Sequence, residues 1–293
     1  MHHFDFYSPE EEILYAPFQK KGLRFFMKRD DLIHPFISGN KWRKLKYQLE
    51  EASQQGKTHL VSFGGAYSNH VLALACAAAK FGFRATAFIR GEEVSNAMLS
   101  LCRTFGMSLK FVSREAYKDK TQLFELHFKD QEDAYYIAEG GAGVLAEKGC
   151  REIIQELHNS YDHIFCAGGT GTTAAGIINA LANKEQTQFH LVPALKNGAF
   201  LRKDIEPLLD RPRDFRIHTS YHFGGYAKTS PELIDFIKKF AAETGILLDP
   251  VYTSKTMFAI QDLAENDYFK GNEKILMLHT GGLFGMLGMM DKF

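Results

Sequence analysis

Short apolar runs alternate with amphipathic stretches through almost the whole chain, switching repeatedly between strand-like and helix-like spacing. The apolar runs, rich in β-branched and aromatic residues, predict strands at 59–63, 85–89, 109–112, 134–137, 163–167, 189–192, 216–219 and 275–279. The amphipathic stretches predict helices over 41–54, 69–81, 95–105, 148–158, 172–183, 231–243 and 254–266. Strands interleaved with helices imply right-handed βαβ crossovers and parallel sheets covered on both faces, which is the α/β class. No repeat, low-complexity tract or long linker interrupts the pattern. A second lobe must therefore be built by chain that crosses over and returns. The strand–helix units between about 45 and 145 are assigned to a smaller domain, and 1–44 with 146–293 to a larger one. Ligands in such sheets bind beyond the carboxyl ends of the strands, and several glycine-rich turns fall there, pointing to one cleft.

Composition narrows the partners. The chain has 293 residues, enough for two lobes around a cleft, and is 45% hydrophobic and 24% charged, as ordinary globular proteins are. Lys+Arg and Asp+Glu both total 35, so no net field favours nucleic acid or an anionic membrane, and neither partner is expected. The longest apolar stretch, 71–79, is too short to span a bilayer. The start, Met1-His2-His3-Phe4-Asp5, has no basic region followed by an apolar core and is not read as a signal peptide. Cys76, Cys102, Cys150 and Cys166 form no C-x-x-C pair and are read as buried free thiols, which suits a reducing cytoplasm. No metal site is expected.

Three turns carry candidate chemistry. The predicted strand 163–167 runs into Gly168-Gly169-Thr170-Gly171-Thr172-Thr173 and then an alanine-rich helix. Glycines let backbone approach an anion, and the helix start adds free N–H groups and a positive dipole end. This reads as a phosphate cup, with a ligand-free tight turn as the alternative. It has neither the Walker lysine nor the spacing of a dinucleotide fingerprint. In Ser38-Gly39-Asn40-Lys41 the lysine opens a helix, where the dipole disfavours a cation and would lower its pKa. Spacing alone favours a surface lysine there, and it makes Lys44 and Lys46 solvated cations on an amphipathic helix. In Gly64-Gly65-Ala66-Tyr67-Ser68-Asn69-His70 a single helix start offers Ser, Asn and His together, more than one cap requires, which suits a carboxylate. His70 is expected to orient the loop rather than act as a base.

Asp30-Asp31-Leu32, Gly39-Asn40-Lys41, the turn from Gly64 to His70, the loop from Gly168 to Thr173, Leu248-Asp249-Pro250-Val251-Tyr252 and His279-Thr280-Gly281-Gly282 follow in that order. With them the chain resembles the 1-aminocyclopropane-1-carboxylate (ACC) deaminase/D-cysteine desulfhydrase family of pyridoxal 5'-phosphate (PLP) enzymes, from about Arg29 to Gly285. The resemblance implies the two-lobed fold type II of the tryptophan synthase β subunit, parallel or mixed sheets flanked by helices, and a homodimer. It implies that Lys41 carries PLP as a Schiff base, with Gly168, Gly169, Thr170, Gly171, Thr172 and Thr173 around the phosphate. Asn69 then faces the phenolic oxygen of PLP and Thr280 the pyridine nitrogen. Ser68, Asn69 and His70 bind the substrate carboxylate or assist proton transfer, and Tyr226 and Tyr252 are the active-site tyrosines.

Thr253 departs from the ACC deaminases, which carry Glu directly after that Tyr, and matches the D-cysteine desulfhydrases; with Tyr226 and Tyr252 it is expected to bind substrate. The implied activity is a deaminating lyase acting on a small amino acid. D-Cysteine would give pyruvate, hydrogen sulfide and ammonia; the alternative is ACC deamination, classed with the hydrolases, giving 2-oxobutanoate and ammonia. A non-catalytic PLP-binding protein would show a degraded lysine or phosphate loop, and a nicotinamide oxidoreductase a dinucleotide fingerprint; neither is present.

Overall fold

The structure, a computed structural model, describes residues 4–293; the first three residues of the N-terminal segment read above lie outside the described residues. A six-stranded sheet is formed by β1 (Glu10–Glu12), β2 (Arg24–Lys28), β7 (His163–Gly168), β8 (Gln188–Pro193), β9 (Arg216–Ile217) and β10 (Lys274–Leu278). Its order is β1-β2-β10-β7-β8-β9. A four-stranded sheet, β5-β4-β3-β6, is formed by β3 (His59–Gly64), β4 (Arg84–Arg90), β5 (Ser108–Val112) and β6 (Ala134–Tyr136). The pairings run parallel except β1 with β2, which makes the larger sheet mixed. β3 is buried at every position, its polar His59 and Ser62 included.

The helices are α1 (Ala16–Gln19), α2 (Asn40–Gln54), α3 (Asn69–Phe81), α4 (Ala97–Thr104), α5 (Lys120–Phe128), α6 (Val144–Gln155), α7 (Thr172–Ala180), α8 (Leu201–Ile205), α9 (Pro231–Thr244) and α10 (Thr253–Glu265). The expected α3 has the observed ends because its stops are local: Ser68 caps Val71 N–H at 3.4 Å, and Gly82 adopts the left-handed conformation at φ 79°. Elsewhere the structure corrects the sequence reading. α6 starts at Val144 rather than residue 148, directly after Gly143 (φ 139°). β1, β2, α1, α5 and α8 were not expected: β1 and β2 are charged at both ends, α1 and α8 are four and five residues long, and α5 has little periodic signal. β9 stops at Ile217, and Thr219 already belongs to a 3-10 turn.

Two polar networks sit inside this frame. Behind Lys41, the buried Arg43 guanidinium donates to Asp30 at 2.9 Å and to Glu156 at 2.7 Å, and Lys28 pairs with Glu156 at 3.0 Å. Across β7, β8 and β9 runs a histidine chain: His163 Nδ1 meets His190 Nε2 at 2.9 Å, and His190 Nδ1 meets His218 Nε2 at 3.0 Å. His163 Nε2 reaches Glu273 at 3.1 Å. All four cysteines are free and buried. Among the described residues no helix is long and apolar enough to cross a membrane. The carboxyl ends of β3, β7 and β10 each run into a glycine-rich turn, and these turns meet at one cleft.

Candidate active site

The cleft is a cavity of about 710 Å³ whose lining includes Lys41, Ser68, Asn69, His70, Gly168, Gly169, Thr170, Gly171, Thr173, Tyr226, Tyr252 and Thr280. Lys41 owes its place to a backbone contact. Gly39 sits at φ 62°, and a Cβ there would lie 1.8 Å from the Thr280 carbonyl oxygen. Asn40 N–H donates to that same oxygen at 3.3 Å, and Gly282 N–H donates to Ser38 Oγ at 3.3 Å. The turn before α2 is thereby locked onto the turn after β10, leaving Lys41 at the cavity floor. Burial first, and the neighbouring Lys44 cation second, bring its amine down to about 7.

Lys44 follows Lys41 by one helical turn and shares its face. The sequence reading of Lys44 as a solvated cation is corrected here: it is 2% exposed. Its Nζ donates to Thr170 Oγ1 and to the Gly140 carbonyl, both at 3.2 Å. Burial lowers its pKa as well. Lys46 does lie outward, paired with Glu152 at 2.7 Å. Opposite Lys44, β7 ends and the 168–171 loop leads into α7, whose N-cap Gly171 has φ 75°. Gly169 leaves the loop bare, since a Cβ there would come within 3.2 Å of the Tyr252 ring. Asn40 Nδ2 ties the loop to α2 through Thr173 Oγ1 at 3.1 Å. Thr172, expected beside the phosphate, is buried at the helix start and is not among the lining residues.

On the other wall, Ser68 and Asn69 open α3 and His70 is buried behind them. His70 Nε2 meets Ser62 Oγ at 2.8 Å, while its Nδ1 has no partner among the described residues. Burial, reinforced by the Lys41 and Lys44 cations, holds this imidazole well below its ordinary value and therefore neutral.

Tyr226, half exposed, and Tyr252 face each other with ring centroids 6.1 Å apart at 66°. Burial keeps the Tyr252 phenol protonated. Thr253, expected among the substrate-binding residues, is 0% exposed and absent from the lining. Its hydroxyl accepts Asp249 N–H at 2.8 Å and so closes the turn that presents Tyr252. Sequence reasoning missed Asp249 as a functional candidate although it quoted the motif. Asp249 Oδ1 accepts the N–H groups of Val251 and Tyr252, at 3.0 and 2.5 Å, and its buried Oδ2 has no partner among the described residues. Burial pushes this carboxyl up to about 7. Arg90 and Glu139 also line the cavity, and no sequence signal marked them. Among the described residues no group of three or more His, Cys, Asp or Glu is placed to hold a metal ion.

With the site in view, its relatives can be set beside it. The family described as pyridoxal-phosphate dependent enzyme matches residues 12–281. The chain belongs to that family. It is 33% identical to a Thermotoga maritima protein that carries the provisional name 1-aminocyclopropane-1-carboxylate deaminase, over 92% of this chain and 91% of the relative. It is 29% identical to the Arabidopsis thaliana protein named bifunctional D-cysteine desulfhydrase/1-aminocyclopropane-1-carboxylate deaminase, mitochondrial, over 92% of this chain and 75% of the relative. A solved structure described as an ACC deaminase homologue superposes with a TM-score of 0.88 at 28% identity, covering 99% of this chain and 93% of the other. The fold is that of the type II PLP enzymes.

The residues present fit the cofactor. The bare glycine loop, the α7 helix start and the buried Lys44 ammonium make an anion cradle at one end of the cavity. The low-pKa Lys41 amine lines the same cavity, and so does His70, whose buried Nδ1 has no partner among the described residues.

Proposed function

We propose that the protein is a deaminating lyase of the D-cysteine desulfhydrase type, removing the elements of hydrogen sulfide from a small amino acid. The observation that carries this reading is Lys41, locked by the Gly39–Thr280 contact between a phosphate cradle and the α3 helix start. Lys44 Nζ, the Thr170 and Thr173 hydroxyls and the amides after Gly168 would hold the cofactor phosphate, Lys41 would attach the cofactor, and Asn69 and Thr280 would hydrogen-bond its ring. When bound, PLP accepts the electron pair left at the substrate Cα.

The free N–H groups at the α3 start, with Ser68, hold the substrate carboxylate. Once the substrate amine had displaced it from the cofactor, the freed Lys41 Nζ, near its own pKa at neutral pH, would take the α-proton. The Cβ–S bond then breaks with its electron pair on sulfur, and the released enamine hydrolyses to pyruvate and ammonia. The two tyrosines close the substrate side against water. A thiolate needs no strong acid to leave, which suits a site where Thr253 is occupied with Asp249 and Glu139 is occupied with Tyr117 and Lys120.

ACC deamination to 2-oxobutanoate and ammonia is the second reading, supported by the double name of the Arabidopsis relative. We also propose residues 45–145 as the smaller domain, a homodimer, and a reducing cytoplasmic setting, supported by four free thiols.

The test is ammonia and keto-acid release by the holoenzyme from D-cysteine, L-cysteine and ACC. D-Cysteine is expected to lead ACC in kcat/KM by about a hundredfold or more. A preference for ACC would replace the first reading with the second, and no release from any of them would remove both.

A further inference from the structure

Lys255 lies in the first turn of α10 and is 0% exposed. A buried ammonium is costly, and a helix start repels it. Among the described residues no carboxylate lies within ion-pair distance of it, and Asp249 acts on its charge only from farther off. What holds it is a set of three carbonyl oxygens: His222 and Gly225 at 2.8 Å each and Ala194 at 3.3 Å. Three neutral oxygens converging on one positive charge is the chemistry of a monovalent-cation site.

The carbonyls come from two places that border the cavity. Ala194 follows β8, and its N–H donates to Gly168 at the head of the phosphate loop. His222 and Gly225 belong to the loop that carries Tyr226. That loop is strained: Phe223, Gly224, Gly225 and Ala227 have φ of 49°, 93°, 115° and 55°, so Tyr226 sits in a run of left-handed backbone. Non-glycine residues stay in that region only where their surroundings over-determine it. The Lys255 ammonium supplies that constraint by gripping the loop on the N-terminal side of Tyr226.

We propose that Lys255 is a positioning residue, a tethered monovalent cation that fixes the Tyr226 loop against the phosphate-loop strand, and that its three carbonyls bind potassium or ammonium ion when the side-chain charge is removed. The role of Tyr226 at the substrate rests on the proposed elimination; the cation site does not.

The experiment is Lys255→Met, which keeps most of the stem and vacates the charge. In tetramethylammonium buffer the holoenzyme variant should lose about a hundredfold in kcat, with KM for D-cysteine changing less. Potassium or ammonium chloride should restore about tenfold or more, lithium should not, and the wild type should be indifferent to all three. A second readout needs no turnover: potassium should raise the melting temperature of the variant and leave that of the wild type unchanged. A variant that stays fully active without potassium overturns the proposal. So does one whose activity and melting temperature are the same in potassium as in tetramethylammonium. If neither protein turns over any substrate, the potassium-dependent melting shift still decides the cation site, separately from the proposed function.

Discussion

Gly39 and the carbonyl of Thr280 are so close that any side chain at position 39 would overlap backbone: a Cβ would stand 1.8 Å from the oxygen and 2.2 Å from its carbon. Gly39 also combines φ 62° with ψ −143°, a conformation left almost entirely to glycine. Gly39→Ala must therefore part the α2 turn from the β10 turn. We expect a stability loss of roughly 2 kcal/mol or more. Covalent cofactor loading should fall with it, because Lys41 moves as a unit with the turn. Thermal melting and the visible absorbance of the bound cofactor check this together.

Lys44→Met should raise the PLP dissociation constant about ten- to a hundredfold, by removing one charge-assisted contact to the phosphate. Lys46→Met should leave it unchanged, since Lys46 is engaged with Glu152 on the outer face. Titration of the apoenzyme with PLP reads both. Equal effects of the two variants would mean that Lys44 acts through general charge rather than from within the site.

These two lysines show what was legible in the sequence. The turns at 38–41, 64–70 and 168–173 were readable because their chemistry is local: glycines for close approach, then a helix start. Lys44 was not, because an amphipathic helix with several cations looks solvated until its partner surface is known, although its three-residue spacing from Lys41 was a usable signal. Thr253 shows the opposite failure. Its place beside Tyr252 suggested substrate, yet the Asp249 turn folds the hydroxyl inward, and only tertiary structure decides that. Both sheets were anticipated from the alternation of strands and helices. The antiparallel edge β1 was missed because Glu10-Glu11-Glu12 carries no apolar signal at all.

The histidine chain predicts an acid-side loss of stability. Burial first, then the neighbouring histidines and Arg216, bring His190 down to about 2; burial and Arg216 bring His218 down to about 4, both from an ordinary 6.5. A folded-state pKa below the unfolded one means that the unfolded chain takes up the proton first. Stability is thus complete above about 6.5 and drains as pH falls, down to about 4 for His218 and about 2 for His190. Asp249, raised to about 7, gains protons in the folded state over part of this range and works in the opposite direction. A variant isolates the histidine contribution. Between pH 6.5 and 5.5, His190→Gln should lose about 1 kcal/mol less than the wild type, measured by urea unfolding at both pH values. Identical pH slopes would contradict it.

Lys41, Lys44 and Lys255, all at least partly buried in or beside the cavity, compete as attachment points for the cofactor. Their roles differ sharply: Lys41 is the amine at the cavity floor, Lys44 faces the glycine loop, and Lys255 is saturated by three carbonyls. The most direct measurement is borohydride reduction of the holoenzyme, followed by fragmentation mass spectrometry to locate the pyridoxyl group. The account predicts the label on Lys41, with none recovered from the Lys41→Ala variant. Label on Lys44, Lys255 or any other lysine would contradict it.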